Sequence, residues 1–186
     1  MWGNHHCLHT DEFRKTLSRL ISRKRKFNEP IYHLKTDQRL TAKIINKVKI
    51  SLLKNNKEAQ VHVFILGDID LLQGKSAQDL CDNFCKLAET TQLHPSSHFV
   101  ICSVISSNIS GPDSSAELAN KKLHKKLSKR EQITFIKVHT KLSEDDFESH
   151  QELNSYGATK LAQFVAKALD SIPKFNNVRA NNLGIR

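Results

Sequence analysis

The chain has 186 residues, enough for one domain with a sizeable core, and 38% apolar content with only 6 Gly and 4 Pro excludes a disordered chain. No apolar run approaches the roughly 18 residues that a membrane-spanning helix needs, and the opening residues lack the charged-then-apolar pattern of a signal peptide. The formal net charge is +10, and residues 1–60 hold 14 Lys/Arg against 5 Asp/Glu, so the surplus is concentrated in one third of the chain and points to a polyanionic partner: RNA, DNA or an acidic membrane surface.

The first predicted element is a helix over residues 10–27. Thr10 can cap it, Asp11 and Glu12 suit the positive end of its dipole, and Phe13, Leu17, Leu20 and Ile21 recur at helical spacing. Its remaining positions carry Arg14, Lys15, Arg19, Arg23, Lys24, Arg25 and Lys26. A short strand over 31–34 follows. Asp37 can cap a second helix to about residue 55, with Leu40, Ile44, Ile45, Val48, Leu52 and Leu53 facing inward. The apolar run 61–66 reads as a buried strand stopped by Gly67. Residues 76–91 read as a helix with Leu80, Phe84 and Leu87 inside, and 98–106 as another strand. Ser114 and Glu117 form a capping box for a helix to about residue 129, which carries Lys121, Lys122, Lys125, Lys126, Lys129 and Arg130. A strand over 133–138 and a helix over 155–169 complete the set.

Strands alternate with helices throughout, which predicts a parallel sheet with right-handed crossovers: one three-layer α/β/α domain over residues 1–170 and a polar basic tail over 171–186. The four cysteines show no C-x-x-C spacing, and a chain of this size needs no disulfide staples, so a reducing, intracellular setting is expected. Cys81 and Cys85 read as small buried hydrophobes, because two thiols alone make a poor metal site. The His/Cys-dense stretch 5–9 lacks two separated ligand pairs, so neither a metal nor any other cofactor is expected. His150 beside Ser149 does not make a nucleophile–base pair, since adjacent side chains point apart. Asp68 and Asp70 are read as caps or partners of loop amides rather than as an acid–base pair.

Two segments resemble a known family. VFILGDID (residues 63–70) is similar to the strand-then-loop block G-x-N-D of SGNH-type (GDSL) hydrolases. LNSYGATKLAQFVAKAL (residues 153–169) is similar to that family's last block, where an Asp and a His three residues apart precede L-N-x-x-G. The resemblance implies an SGNH-hydrolase-like, flavodoxin-like fold and esterase chemistry by a serine nucleophile, a His base, an orienting Asp and an Asn in the oxyanion hole. Aligned residue by residue, those positions are held by His5 (serine), Ile69 (Asn), Ser149 (Asp) and Glu152 (His). Isoleucine cannot donate a hydrogen bond, and losing one triad member already costs orders of magnitude in rate.

The chain is therefore read as a non-enzyme. It also resembles the OSK domains, a non-catalytic group with the SGNH-like fold. That resemblance implies binding of mRNA, particularly 3′ untranslated regions, association with germ-granule proteins, and a cytoplasmic site in germ plasm or posterior pole granules. The residues expected to contact RNA are Arg14, Arg19, Arg23, Lys24, Arg25 and Lys26, then Lys121, Lys122, Lys125 and Lys126, with Arg179 and Arg186 in the tail. No helix-turn-helix, zinc finger or RRM signature is present, and aromatics make up only 6%, so grip by phosphate contacts is expected over broad base stacking. The alternatives are an active esterase of retroelement-like origin and a protein-interaction scaffold whose charge is incidental.

Overall fold

The computed structural model describes residues 10–24, 31–35, 40–54, 60–105, 114–149 and 152–172. Helix α1 runs Thr10–Lys24, strand β1 Ile31–Lys35, helix α2 Ala42–Lys54 and strand β2 Gln60–Phe64. A one-turn helix, α3 (Asp68–Leu72), precedes α4 (Ala77–Glu89) and a short 3-10 turn, Thr90–Leu93. Strand β3 (His98–Cys102), helix α5 (Ser115–Leu127) and strand β4 (Ile133–Ile136) follow. A small hairpin, β5 (Phe147–Ser149) and β6 (Glu152–Leu153), leads into α6 (Ser155–Asp170).

Strands β1 to β4 form one parallel sheet in the order β1-β2-β3-β4. Each strand steps to the same side of its predecessor. Right-handed crossovers then place every connecting helix on one face of the sheet. That is the arrangement found: α2, α3, α4 and α5 bury Leu52, Leu71, Leu80, Phe84 and Leu123 against Phe64, Phe99 and Ile101. The terminal helices α1 and α6 cover the other face, packing Phe13, Leu17, Leu161 and Val165 against Val61, Val63, Val100 and Ile136. The alternation along β2 and β3 matches this division, successive residues facing opposite layers. Three layers and a parallel sheet are as the sequence led us to expect. The described strands contain no reversal of order, such as a flavodoxin-like sheet carries at its switch point.

Three local expectations need correction, the first being Leu53, which was expected to face inward and is 49% exposed on α2. Ser114 Oγ accepts the Glu117 N–H at 3.1 Å, half of a capping box, but the Glu117 carboxylate turns to Lys121 and His139 instead of back to the cap. Residues 68–72, read as a loop, form a helical turn started by Gly67 at φ +113°. A side chain on Gly67 would also meet Val104 Cγ2 at 2.9 Å, so conformation and space both demand glycine there. The predicted cap Asp37 lies outside the described residues.

Candidate nucleic-acid interface

In a parallel sheet all strands end at one edge, and the loops there are the usual place for chemistry. Here that edge carries the segments after β2, β3 and β4. After β2, Asp70 is fully buried, and its Oδ2 accepts the Leu40 N–H at 2.7 Å while Oδ1 pairs with Lys75 Nζ at 2.5 Å. Lys75 also reaches the Leu40 carbonyl. Asp70 thus ties the loop before α2 to the turn after β2, the loop-amide role expected of it. Ile69, beside it, brings no side-chain donor to this edge.

The L-N-x-x-G block is a helix start. Asn154 Oδ1 caps α6 by accepting the Gly157 N–H at 2.9 Å. A Cβ at Gly157 would lie 2.1 Å from the Asp146 carbonyl oxygen, so glycine lets the helix sit on that backbone. Asp146 is itself buried, with Oδ2 accepting from the Ser143 amide at 2.7 Å and from Lys160 Nζ at 2.8 Å. Burial pushes its carboxyl up, but the Lys160 and Ser143 hydrogen bonds outweigh that and hold it below the usual carboxylate range. Lys160 is raised in return, chiefly by its bond to Asp146. Ser149 and Glu152, the positions aligned above with the hydrolase Asp and His, are paired across the β5–β6 hairpin. Glu152 is half-buried. His5 and His150 lie outside the described residues.

A chain of polar groups that sequence reasoning missed links β3 to β4. Ser103 follows β3, His139 follows β4, and Glu117 is in the first turn of α5. Ser103 Oγ stands 2.8 Å from His139 Nδ1, and His139 Nε2 is 3.6 Å from the Glu117 carboxylate. A hydroxyl, an imidazole and a carboxylate in a row suggest a hydrolytic triad, but the arrangement is closed. Ser103 is 1% exposed, and its oxygen also accepts the His139 backbone N–H at 3.1 Å. Either neutral tautomer makes this bond, because the hydroxyl keeps a second lone pair and its own proton, and in both it is Nδ1 that meets the serine. The imidazole therefore engages the serine through Nδ1, opposite to the hydrolase template, and the serine has no open face for a substrate. Burial lowers the His139 pKa against the opposing pull of Glu117, in keeping with a neutral ring. We read the chain as a strut between the two loops. Its signal was legible in part: Ser103 directly follows the apolar run of β3, and His139 is the second polar residue after β4.

Burial holds two of the thiols in their protonated form. Burial, with Cys85 beside it, pushes Cys81 up to about 11, and burial pushes Cys102 up to about 12. Cys85 is half-buried rather than buried. No cluster of three or more metal-ligating side chains occurs among the described residues. A shallow cavity of about 830 Å³, lined by Glu89, Gln92, Arg130, Glu131 and Gln132 among others, opens at the opposite, amino-terminal edge of β3 and β4.

The cations divide between two faces. On α1, Arg14, Lys15 and Arg19 are exposed opposite Phe13, Thr16 and Leu17, and none of the three ion-pairs with a described residue. The backbone of Arg23 and Lys24 continues the helix. On α5, Lys121, Lys125 and Lys126 are exposed, whereas Lys122 donates to Gln78 Oε1 at 2.6 Å and Lys121 approaches Glu117 at 3.6 Å. Because α1 and α5 belong to different layers, the structure does not bring the two predicted clusters together: they lie on opposite faces of the sheet. Arg25, Lys26, Arg179 and Arg186 lie outside the described residues, as do the histidines of residues 5–9. A third basic element, α2, escaped the sequence reading because its lysines are spaced out among apolar residues: Lys43, Lys47, Lys49 and Lys54 are all exposed. No described helix is long and apolar enough to cross a membrane. The chain matches no protein-family model. It matches no curated protein.

Proposed function

We propose that this chain is a non-catalytic RNA-binding domain on an SGNH-like scaffold, similar to the OSK domain of Oskar, the insect germ-plasm organiser, and that it holds mRNA 3′ untranslated regions during germ-granule assembly. The observation that carries the RNA part is the solvent face of α1, where Arg14, Lys15 and Arg19 stand exposed without an ion-pair partner among the described residues. Exposed cations along one helix suit the repeating charges of a phosphate backbone. The α5 lysines offer a second contact surface. The non-catalytic part is supported by Ile69 in place of an oxyanion donor, by Glu152 in place of the family's histidine with Ser149 in place of its orienting Asp, and by the closed state of Ser103.

The test is fluorescence anisotropy with a labelled single-stranded RNA drawn from a 3′ untranslated region. Arg14→Glu/Arg19→Glu is expected to weaken binding by on the order of tenfold or more while the circular dichroism spectrum stays unchanged. Equal affinity in the variant would remove α1 as the surface, and no binding at low salt would remove RNA. Hydrolysis of p-nitrophenyl acetate is expected at background, and turnover abolished by Ser103→Ala would restore the esterase reading.

A further inference from the structure

Helix α2 buries Ile44, Val48 and Leu52 against the sheet and carries no acidic residue. Its outward side combines two features that the RNA reading does not use. Lys43, Lys47, Lys49 and Lys54 are exposed, and none makes an ion pair with another described residue. Between them, Ile50 and Leu53 are 51% and 49% exposed, and they neighbour each other at i,i+3. Lys43, Lys47, Ile50 and Lys54 follow one another at i+4 and i+3 steps, so the aliphatic pair is bordered by ammonium groups. Lysines alone would serve solubility, and two adjacent aliphatic side chains half in water do not.

We propose that this face of α2 docks an acidic amphipathic segment of a protein partner, its carboxylates on the lysines and its apolar side chains on Ile50 and Leu53. Charge selects the occupant. A second copy docking through the same face would meet its own sign. A nucleic acid satisfies the lysines through phosphate but leaves the aliphatic pair uncovered, and α2 has no aromatic ring on which a base could stack. A lipid surface prefers broader apolar faces with aromatic side chains at the boundary. A helix with apolar residues at i, i+3 and i+4 and glutamates on either side matches both features.

The test is an NMR titration of the isotope-labelled full chain with a synthetic helical peptide bearing leucines on one face and glutamates on both flanks. Amide shifts confined to α2 and its neighbours are expected. Ile50→Ser/Leu53→Ser and Lys47→Glu/Lys54→Glu are each expected to weaken the peptide by on the order of tenfold, and these positions are exposed, so the fold is retained. RNA affinity is expected to be unchanged in Ile50→Ser/Leu53→Ser. A polyglutamate peptide that binds equally well overturns the proposal, since the apolar pair would then be idle. So does dependence on Ile50 and Leu53 for binding to single-stranded RNA or to phosphatidylserine vesicles instead of the peptide. Neither result bears on α1, so the RNA reading stands or falls separately.

Discussion

Gly157 shows how one residue fixes the join between the hairpin edge and α6. A methyl group there would overlap the Asp146 carbonyl oxygen, and Asp146 is pinned by Ser143 and Lys160, so neither side can give way cheaply. Gly157→Ala is expected to destabilise the fold by at least about 3 kcal/mol, read as a lowered urea midpoint with an unchanged slope. His139 sets a second residue-scale expectation. Its folded-state pKa lies below the ordinary 6.5, because burial disfavours the imidazolium. Between those two values the unfolded chain binds a proton that the folded chain does not. Stability is therefore full above pH 6.5 and declines as pH falls below it. Urea midpoints measured from pH 8 to pH 5 should fall more steeply for the natural chain than for His139→Gln. Equal slopes would show that the Ser103–His139 strut does not titrate with unfolding.

At the scale of elements, periodicity made the long pieces legible and length hid the short ones. The apolar spacing of Phe13 and Leu17, or of Leu80, Phe84 and Leu87, repeats over several turns and marks a buried helix face. Helix α3 has five residues and the hairpin strands three and two, too few for any period to show. The site was legible only in part for a related reason. Charge density located α1 and α5 but not α2, and which layer each one joins is decided by strand order, which no local pattern encodes. The layering has a consequence for binding. Helices α1 and α5 lie on opposite faces, separated by the sheet, so substitutions in one should not disturb the other. Arg14→Glu/Arg19→Glu and Lys125→Glu/Lys126→Glu are expected to lower RNA affinity additively, within roughly 0.5 kcal/mol in a double-variant cycle. A large coupling energy would mean that one RNA strand grips both faces through a shared conformational change.

At the scale of the whole molecule, the charge asymmetry read from the sequence becomes a matter of where the field points. The net charge of +10 is spread over α1, α2 and α5 and so over both helix layers, while the acids Glu144, Asp145 and Glu148 gather at the hairpin end. On the proposed RNA-binding reading, contacts run to phosphates over a broad surface, and few of them read a base. Affinity must then come largely from released counterions, and it must fall as salt rises. For single strands, each neutralised phosphate contributes about −0.7 to the slope of log K against log salt. If Arg14 and Arg19 each hold one phosphate, changing both to glutamine should flatten the slope by about 1.4. Glutamine keeps most of the side-chain length, so the change reports on charge. Anisotropy titrations across a salt series would read it directly. A slope unchanged by Arg14→Gln/Arg19→Gln, with affinity also unchanged, would place the RNA elsewhere. A slope near zero in the natural chain would mean that its positive charge does not serve nucleic acid at all.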